Sequence, residues 1–237
     1  MQPMLNIALR AARSAGELIY RSMERLDVLA VDEKDARDYV SEVDRAAEQA
    51  IISQLRKAYP DHSIQAEESG FQPGHGDGAD TVWIIDPLDG TTNFMHGIPH
   101  FAISIALERE GRLVSGLIYN PVTDELFLAE RGQGAFSHNT RLRVGGRSRM
   151  SDAVFACGAP HGERAGRNEF ITEMETLLPK VAGIRRFGAA ALDLAYVAAG
   201  RVDGFWERGL APWDMAAGIV ICREAGGLVS DTKNGSK

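Results

Sequence analysis

The sequence predicts a layered α/β (α+β) fold, and three observations carry this prediction. The chain opens with two stretches of helical apolar periodicity. Its middle contains closely spaced apolar runs separated by turn residues, and its last third alternates short apolar runs with helical patterns. Apolar periodicity that switches between strand and helix in this way indicates helices packed in layers on β-sheet.

Two helices are predicted first. The first is amphipathic, because small and apolar residues recur along it at helical spacing, at Met4, Ala8, Ala11, Ala15 and Leu18. The second runs from Ser41 to Ala58 and ends before Pro60-Asp61. Ser41 and Asp44 have the spacing of a capping box, which places Asp44 in the first turn of this helix.

A short strand, a loop and a meander follow. The strand covers Ser63 to Ala66, and the glycine-rich stretch 70–80 has no periodicity and is predicted to be a surface loop. Val82 to Ile85 is predicted to be a buried strand that stops at Pro87, because proline fixes φ and lacks an N–H. Four further strands make an antiparallel meander, over residues 101–107, 113–119, 125–129 and 134–137.

Strands and helices alternate beyond Gly145-Gly146. The predicted strands cover 153–157, 183–186, 203–207 and 228–230, and the predicted helices cover 168–178, 190–199 and 213–225. We therefore divide the chain into an N-terminal α+β half, residues 1–145, and a C-terminal α/β half, residues 146–237. Only seven polar or small residues follow the last predicted strand, so we expect a terminal strand and helix to be missing from this chain.

The composition limits the classes of function. A formal net charge of −7 argues against non-specific attraction to nucleic acid. No apolar run is long enough to span a membrane, and charges interrupt the N-terminal stretch where a signal peptide would be apolar. Cys157 and Cys222 lie among apolar residues, which predicts reduced core thiols in a cytoplasmic protein.

The most informative run is Asp86-Pro87-Leu88-Asp89-Gly90-Thr91-Thr92-Asn93-Phe94. It places two carboxylates three residues apart at the end of a strand, before a glycine turn and the start of a helix. Hard oxygen ligands beside free N–H groups suit a divalent cation that holds a phosphate. Taken alone, the run also fits an ordinary Asp-Gly β-turn.

Four other acidic positions lie where a strand ends or a helix begins, at Asp44, Glu67-Glu68, Glu207 and Asp214. Each of them alone fits a helix cap or a solvated charge. Together they occupy the edge at which α/β folds place their sites. Carboxylates gathered there repel one another and a phosphate, so bound cations are needed, and Mg²⁺ suits phosphoryl chemistry.

These blocks resemble the inositol monophosphatase family of Mg²⁺-dependent, lithium-sensitive phosphatases. The blocks that agree are Ser41 to Asp44, Glu67-Glu68-Ser69, Asp86 to Phe94, and Trp213-Asp214 to Gly218. The stretch Arg185 to Asp231 is similar to the bacterial SuhB-type members. The resemblance covers essentially the whole chain and implies a layered αβαβα sandwich of the sugar-phosphatase type.

The resemblance implies a site for two to three Mg²⁺ ions, with Mn²⁺ as the alternative. One ion takes Glu67, Asp86 and the Leu88 carbonyl, and a second takes Asp86, Asp89 and Asp214. Glu67 also steers a third, water-rich ion. Glu67 is chosen over Glu68, because the family ligand is the first residue of the pair.

The resemblance also implies roles around the attacking water and the substrate. Thr91, hydrogen-bonded toward Asp44, orients and deprotonates the water together with Glu67. The substrate contacts implied are Asp89, Gly90, Thr91, Gly188, Ala189, Ala190, Glu207 and Asp214. Ala189 stands where some relatives carry a hydroxyl residue, which affects substrate preference.

The expected function is Mg²⁺-dependent hydrolysis of inositol 1-phosphate by direct attack of a metal-activated water, in a homodimer. Other small phosphates are alternatives within the same chemistry: fructose 1,6-bisphosphate, NADP, histidinol phosphate or a 3′-phosphonucleotide. A scaffold role in a transcription antitermination complex is an alternative of another class. The features to test for it are Arg185-Arg186 and the basic run Arg141, Arg143, Arg147 and Arg149, which also fit solvated or dimer-interface arginines.

Overall fold

The computed structural model describes residues 3–29, 33–160 and 165–231. Two long helices, α1 (Pro3–Leu29) and α2 (Glu33–Ala58), pack against each other as an outer layer. Small buried residues on α1, among them Ala8, Ala11 and Ala15, let the helices approach closely. Within the described ranges, no helix combines the length and the apolar character needed to cross a membrane.

The start of α2 corrects one prediction. The helix begins at Glu33 rather than Ser41, because residues 33–40 contain no glycine or proline to stop it, although they lack a clear apolar period. Asp44 therefore lies inside the helix and not in its first turn, so the predicted capping box is wrong. Asp44 is instead buried on the face of α2 that also carries Val43 and Ala47.

The large sheet has eight strands, in the order β2-β1-β3-β4-β5-β6-β7-β8. They are β1 (Ser63–Ala66), β2 (Gly70–Gln72), β3 (Thr81–Asp89), β4 (Ala102–Arg109), β5 (Arg112–Asn120), β6 (Glu125–Glu130), β7 (Gly134–Ser137) and β8 (Thr140–Arg141). The meander from β4 to β7 confirms the prediction. The stretch 70–80 was predicted to be a loop throughout, but it contains β2 and a 3₁₀ turn at Gly76–Gly78. Elements this short show no apolar periodicity in the sequence.

Strand β3 does not stop at Pro87, as predicted, but continues to Asp89. Asp86 pairs with Ser104 and Asp89 pairs with Ala102, so three steps along β3 face two along β4. This extra residue is a β-bulge, and the missing N–H of Pro87 falls inside it, where no ladder bond is needed. The bulge lets the strand carry both carboxylates of the motif.

The small sheet has three parallel strands in the order β10-β9-β11. They are β9 (Val154–Cys157), β10 (Gly183–Arg185) and β11 (Gly204–Trp206). The remaining helices are α3 (Thr91–Met95), α4 (Arg167–Leu177), α5 (Ala190–Ala198) and α6 (Pro212–Glu224). Each of α4, α5 and α6 and each strand of this sheet was predicted to within two residues at either end.

Helices α5 and α6 pack on each other, and α6 lies across β4 and β5 of the large sheet. The approach is close, because a Cβ on Gly116 of β5 would lie 2.5 Å from the carbonyl oxygen of Ala217. Helix α5 also contacts β11. The layers thus run from α1 and α2, through the large sheet, to α5 and α6 and then to the small sheet.

Residues 228–230, predicted to be a strand, do not form one. The Leu228 side chain is fully exposed, whereas Val229 packs against the core. A strand requires a hydrogen-bonded neighbour, and no ladder joins this segment to another part of the chain that the structure describes. The apolar run correctly indicated burial of Val229, but the strand that it predicted does not form.

Candidate active site

The end of β3 carries the first carboxylate of the site. Asp86 is buried, and its Oδ1 accepts a hydrogen bond of 2.9 Å from the Leu88 amide. This bond from a side chain to nearby backbone closes a turn over Pro87. The carboxylate is therefore fixed relative to the backbone of its own motif.

Gly90 makes the turn into α3 possible. Its φ is 90°, and a Cβ there would lie 3.1 Å from both the Ala189 Cβ and the His100 carbonyl oxygen. The next residue, Thr91, donates its hydroxyl to the Leu88 carbonyl oxygen at 3.0 Å. This differs from the expected bond toward Asp44, because the turn brings the Leu88 oxygen within reach of the single hydroxyl proton.

Asp89 joins the motif to α5. Its Oδ1 accepts the Ala190 amide at 3.2 Å and its Oδ2 accepts the Ala191 amide at 2.7 Å. Both amides belong to the first turn of α5, where N–H groups have no partner within the helix and the helix dipole favours an anion. The bonds bring the segment from Gly188 to Ala190 against the motif.

The turn after β1 places Glu67 beside Asp86. Strands β1 and β3 are parallel, with Ala66 opposite Ile85, so the two carboxylates emerge at the same edge of the sheet. Burial raises the pKa of Glu67, and the neighbouring Asp86 side chain acts to lower it. The next residue, Glu68, lies 3.4 Å from Arg45 instead. The two neighbouring glutamates therefore face different surroundings.

Helix α6 brings Asp214 to the same end of the sheet. Asp214 Oδ2 accepts the Ala211 amide at 2.7 Å, which caps the start of the helix. The Ser104 hydroxyl donates to the Trp213 carbonyl at 3.2 Å. Since Ser104 is also the register partner of Asp86, the start of α6 lies next to the motif.

Glu207 reaches the cluster from the small sheet. It follows β11 and packs on Gly158, where a Cβ would lie only 1.9 Å from its carboxyl carbon. No larger residue fits at Gly158 without moving this carboxylate. The charge of Glu207 contributes to raising the pKa of Asp89 and of Asp193, so it faces the same cleft.

The carboxylates raise one another's pKa values. Burial, followed by repulsion from Glu67, raises the pKa of Asp44 to about 8. Burial, with repulsion from Asp214 and Glu207, also raises the pKa of Asp89 to about 8, against the lowering effect of the α5 amides. Burial and repulsion from Asp89 likewise hold the pKa of Asp86 well above its usual value. Such a cluster keeps its charge only where cations compensate it.

The donor set suits a hard divalent cation, because every group is an oxygen. Asp44 Oδ1 is buried and has no hydrogen-bond partner among the described residues, which fits a group that acts through a bound ligand. Across the described ranges, no three acidic, histidine or cysteine side chains are placed to coordinate one ion as they stand.

Two buried acids near the site were not singled out from the sequence. Glu48 lies one helical turn after Asp44 on α2 and accepts the amides of Glu68 and Ser69 at 2.8 and 3.0 Å. Asp193 interrupts the apolar helix α5 and is 1% exposed. The signal for both was available, because each is an acid on the apolar face of a helix.

The whole chain, residues 1–237, matches the sequence model of a family described as the inositol monophosphatase family. A Pseudomonas aeruginosa protein called Nus factor SuhB is 60% identical over 233 residues, which cover 98% of this chain and 86% of that protein. A Rhizobium meliloti inositol-1-monophosphatase is 52% identical over 234 residues, covering 99% and 87%.

The fold is shared with a solved relative. The crystal structure of the extragenic suppressor protein suhB from Bartonella henselae is 48% identical and superposes with a TM-score of 0.90, covering 100% of this chain and 90% of that chain. The comparisons confirm the resemblance seen in the motifs and the layered α/β architecture. The chain belongs to the inositol monophosphatase family.

Proposed function

We propose that the protein is a Mg²⁺-dependent phosphomonoesterase that hydrolyses inositol 1-phosphate to inositol and phosphate. The observation that carries the proposal is the meeting of carboxylates from α2, β1, β3 and α6 at one end of the large sheet. The pKa values of Asp44, Glu67, Asp86 and Asp89 are raised by burial first and then by repulsion from neighbouring carboxylates. A phosphate ester enters such a place only with cations that reverse the local field.

The proposed cation ligands are those of the family pattern. Glu67, Asp86 and the Leu88 carbonyl hold one ion, Asp86, Asp89 and Asp214 hold a second, and Glu67 steers a third. Mg²⁺ and Mn²⁺ both accept this oxygen set. Bound ions of this kind supply Lewis acidity, which lowers the pKa of water and offsets charge on the phosphoryl group and the leaving oxygen.

The chain's own residues then position the reactants. Thr91 and Asp44 orient the attacking water, and the buried Asp44 Oδ1, which has no hydrogen-bond partner among the described residues, is an acceptor for it. The backbone amides of Gly90 and Thr91 hold phosphate oxygens. The segment from Gly188 to Ala190 and Glu207 contact the hydroxyl-bearing ring. Water attacks phosphorus directly, so no phosphoenzyme forms.

Phosphate release tests the proposal. Wild-type protein should release phosphate from inositol 1-phosphate with Mg²⁺, release almost none after chelation, and be inhibited by lithium. Asp214→Asn should lose activity by orders of magnitude while its melting temperature stays close to that of wild type. Near-normal turnover by Asp214→Asn would show that the site is assigned wrongly.

The substrate is tested by comparison. The same cluster serves any small phosphomonoester, so we expect inositol 1-phosphate to give a higher kcat/KM than fructose 1,6-bisphosphate, NADP, histidinol phosphate or a 3′-phosphonucleotide. The name of the Rhizobium meliloti relative favours inositol 1-phosphate. A higher kcat/KM for another ester would leave the proposed chemistry in place but would make that ester the preferred substrate.

A second candidate function is association with the transcription machinery, as a homodimer. It is favoured by the name Nus factor SuhB, which the Pseudomonas aeruginosa relative carries. Arg185 and Arg186 are both exposed, and Arg185 donates a hydrogen bond of 3.1 Å to the carbonyl of its neighbour Ile184. In the other basic run, Arg147 forms an ion pair with Asp203 and Arg149 forms one with Asp152. The positive charge of these two arginines is therefore partly neutralised within the protein.

Charge reversal separates the two roles. Arg185→Glu should abolish co-purification with RNA polymerase complexes while phosphate release stays unchanged. Light scattering on the same variant reports whether the homodimer persists. Unchanged co-purification would remove Arg185 from the proposed surface.

A further inference from the structure

Two buried polar atoms face each other beside the proposed site. Among the residues that the structure describes, the buried side-chain atoms without a hydrogen-bond partner are Asp44 Oδ1, His100 Nε2 and Asp193 Oδ1. The last two lie 4.0 Å apart. Asp44 belongs to the carboxylate cluster, but neither His100 nor Asp193 has a part in the proposed chemistry. Burying a polar group without a hydrogen bond costs free energy, so His100 Nε2 and Asp193 Oδ1 are expected to share a hydrogen-bonding partner.

The His100 side chain is held by aromatic contacts, and its Nε2 is buried without a hydrogen-bond partner among the described residues. Its ring stacks on Phe187 at 5.1 Å and meets the edge of Tyr196 at 5.6 Å. Its carbonyl oxygen accepts the Asn93 side-chain amide at 2.7 Å, and the same amide donates to the Phe187 carbonyl at 2.8 Å. The Asn93 amide thus fixes the backbone of this segment, and the two aromatic contacts hold the imidazole ring in place.

Asp193 lies in the first turn of α5, directly behind the groups that hold Asp89. Its own amide donates to the Ala189 carbonyl at 3.0 Å, and the Ala190 and Ala191 amides donate to Asp89. Its carboxyl is 1% exposed and faces the negative charges of Asp89 and Glu207, with Arg186 as the positive one. Because it is almost fully buried, bulk water can do little to solvate this carboxyl.

We propose that His100 and Asp193 are a positioning pair, in which the Nε2–H of His100 donates to Asp193 Oδ1 through one buried water. The separation of 4.0 Å is too long for a direct bond, but two ordinary bonds of about 2.8 Å to one water span it at an angle of about 90°. The bridge ties the segment after α3 to the first turn of α5. It thereby keeps the α5 amides on Asp89.

The pair acts on the proposed reaction through Asp89 and not by touching substrate. If the first turn of α5 shifts, Asp89 loses its two amide donors and its orientation toward a cation. Residues that orient a ligand in this way typically change metal affinity or activity by about 10- to 100-fold when they are removed. This inference rests on the proposed function for its effect on catalysis, but the bridge itself does not.

A double-mutant cycle tests the pair. His100→Phe keeps an aromatic ring between Phe187 and Tyr196 but removes the donor, and Asp193→Leu removes the acceptor. Each should lower kcat/KM and Mg²⁺ affinity by about tenfold or more, and the double variant should lose no more than the worse single variant. Asp193→Asn keeps an accepting oxygen and should recover most of the activity. His96→Phe, an exposed histidine in the same segment, is the matched control and should behave as wild type.

A spectroscopic measurement tests the bridge without any substrate. Nitrogen NMR of the imidazoles should show His100 as a neutral ring protonated at Nε2, with the signal assigned by its absence from His100→Phe. Asp193→Leu should change that signal and leave the signal of His96 in place. The proposal would be overturned if the fold-losses in kcat/KM of the two single variants multiplied in the double variant. It would also be overturned if Asp193→Leu left the His100 signal unchanged. If wild-type protein released no phosphate from any ester, the NMR result would still decide on the pair.

Discussion

The large sheet and the small sheet contribute differently to the same cleft. Strands β3 and β4 of the large sheet are almost wholly buried, and the acids that we assign to cations lie on this sheet or on helices packed against it. The three strands of the small sheet are short and largely half-buried. They bring Glu207 and, through the segment before α5, the proposed substrate contacts.

From this difference we propose that the residues that support cations and those that support substrate are separable. Asp86 and Asp89 are held by several bonds to backbone, in a strand buried on both faces. Glu207 is held by close packing on Gly158 at the edge of a thinner layer. A change on the first side should therefore affect the chemical step, and a change on the second should affect which substrate binds and how tightly.

The largest effect is expected on the cation side, from Asp89→Asn. Bound cations supply several kcal/mol of transition-state stabilisation, and about 1.4 kcal/mol corresponds to a factor of ten in rate, so kcat should fall about 1,000-fold. Steady-state kinetics at saturating substrate measures this. Asp77→Asn, an exposed acid in a 3₁₀ turn, is the control. A loss confined to KM would place Asp89 on the substrate side instead.

The next prediction concerns stability and compares packing against the large sheet with packing in the small sheet. Phe94 is 0% exposed and meets Phe101 edge-on at 5.3 Å, so Phe94→Ala should lower the free energy of unfolding by about 3–5 kcal/mol. Phe155 in β9 is only half-buried and meets Trp206 at 6.3 Å. Phe155→Ala should cost clearly less in the same denaturant titration. Equal losses would mean that the small sheet is as tightly packed as the large one.

A smaller effect is expected on the substrate side, from Gly158→Ala. The new Cβ would displace the Glu207 carboxylate, so KM for inositol 1-phosphate should rise about tenfold, the order of magnitude that altered pocket contacts produce. Glu207→Gln should reproduce the change. Gly146→Ala, at a glycine with open space around it, should leave KM unchanged. A fall in Mg²⁺ affinity for Gly158→Ala would show that the two sides are not separable.

The last prediction concerns the pH dependence of stability without divalent cations. Because burial and mutual repulsion raise the folded-state pKa of Asp44 and Asp89 from 3.8 to about 8, the folded protein binds more protons than the unfolded chain between these values. Its stability should therefore fall as pH rises from about 5 to 8. Melting curves with chelator should show this decline. Mg²⁺ should raise the melting temperature more at pH 8 than at pH 5, and the opposite order would contradict the cluster.

Much of the fold could be predicted from the sequence, because its signals are local. The meander is marked by turns such as Glu110-Gly111 between apolar runs, and the helices of the last third have clear periods. The start of α2 could not be predicted, since residues 33–40 neither favour burial nor break a helix. The strand end predicted at Pro87 was wrong, because the sequence does not show the bulge that accommodates this proline.

The candidate site was predictable in its residue types but not in its contacts. The motif at Asp86 and Asp89 predicted oxygen ligands at a strand end, and the family resemblance implied the rest of the proposed set. The amide bonds from α5 to Asp89 join residues about a hundred positions apart in the chain, so no local pattern could show them. The same holds for Asp193 and His100, which face each other only in the folded protein.

Calorimetric titration of Mg²⁺ into the substrate-free protein tests the central claim most directly. The account predicts that wild type and Glu207→Gln bind Mg²⁺ with the same affinity, whereas Asp214→Asn binds at least about tenfold more weakly. Melting temperatures of the three proteins, measured alongside, show that each is folded. Unchanged binding by Asp214→Asn, or loss of binding by Glu207→Gln, would contradict the account.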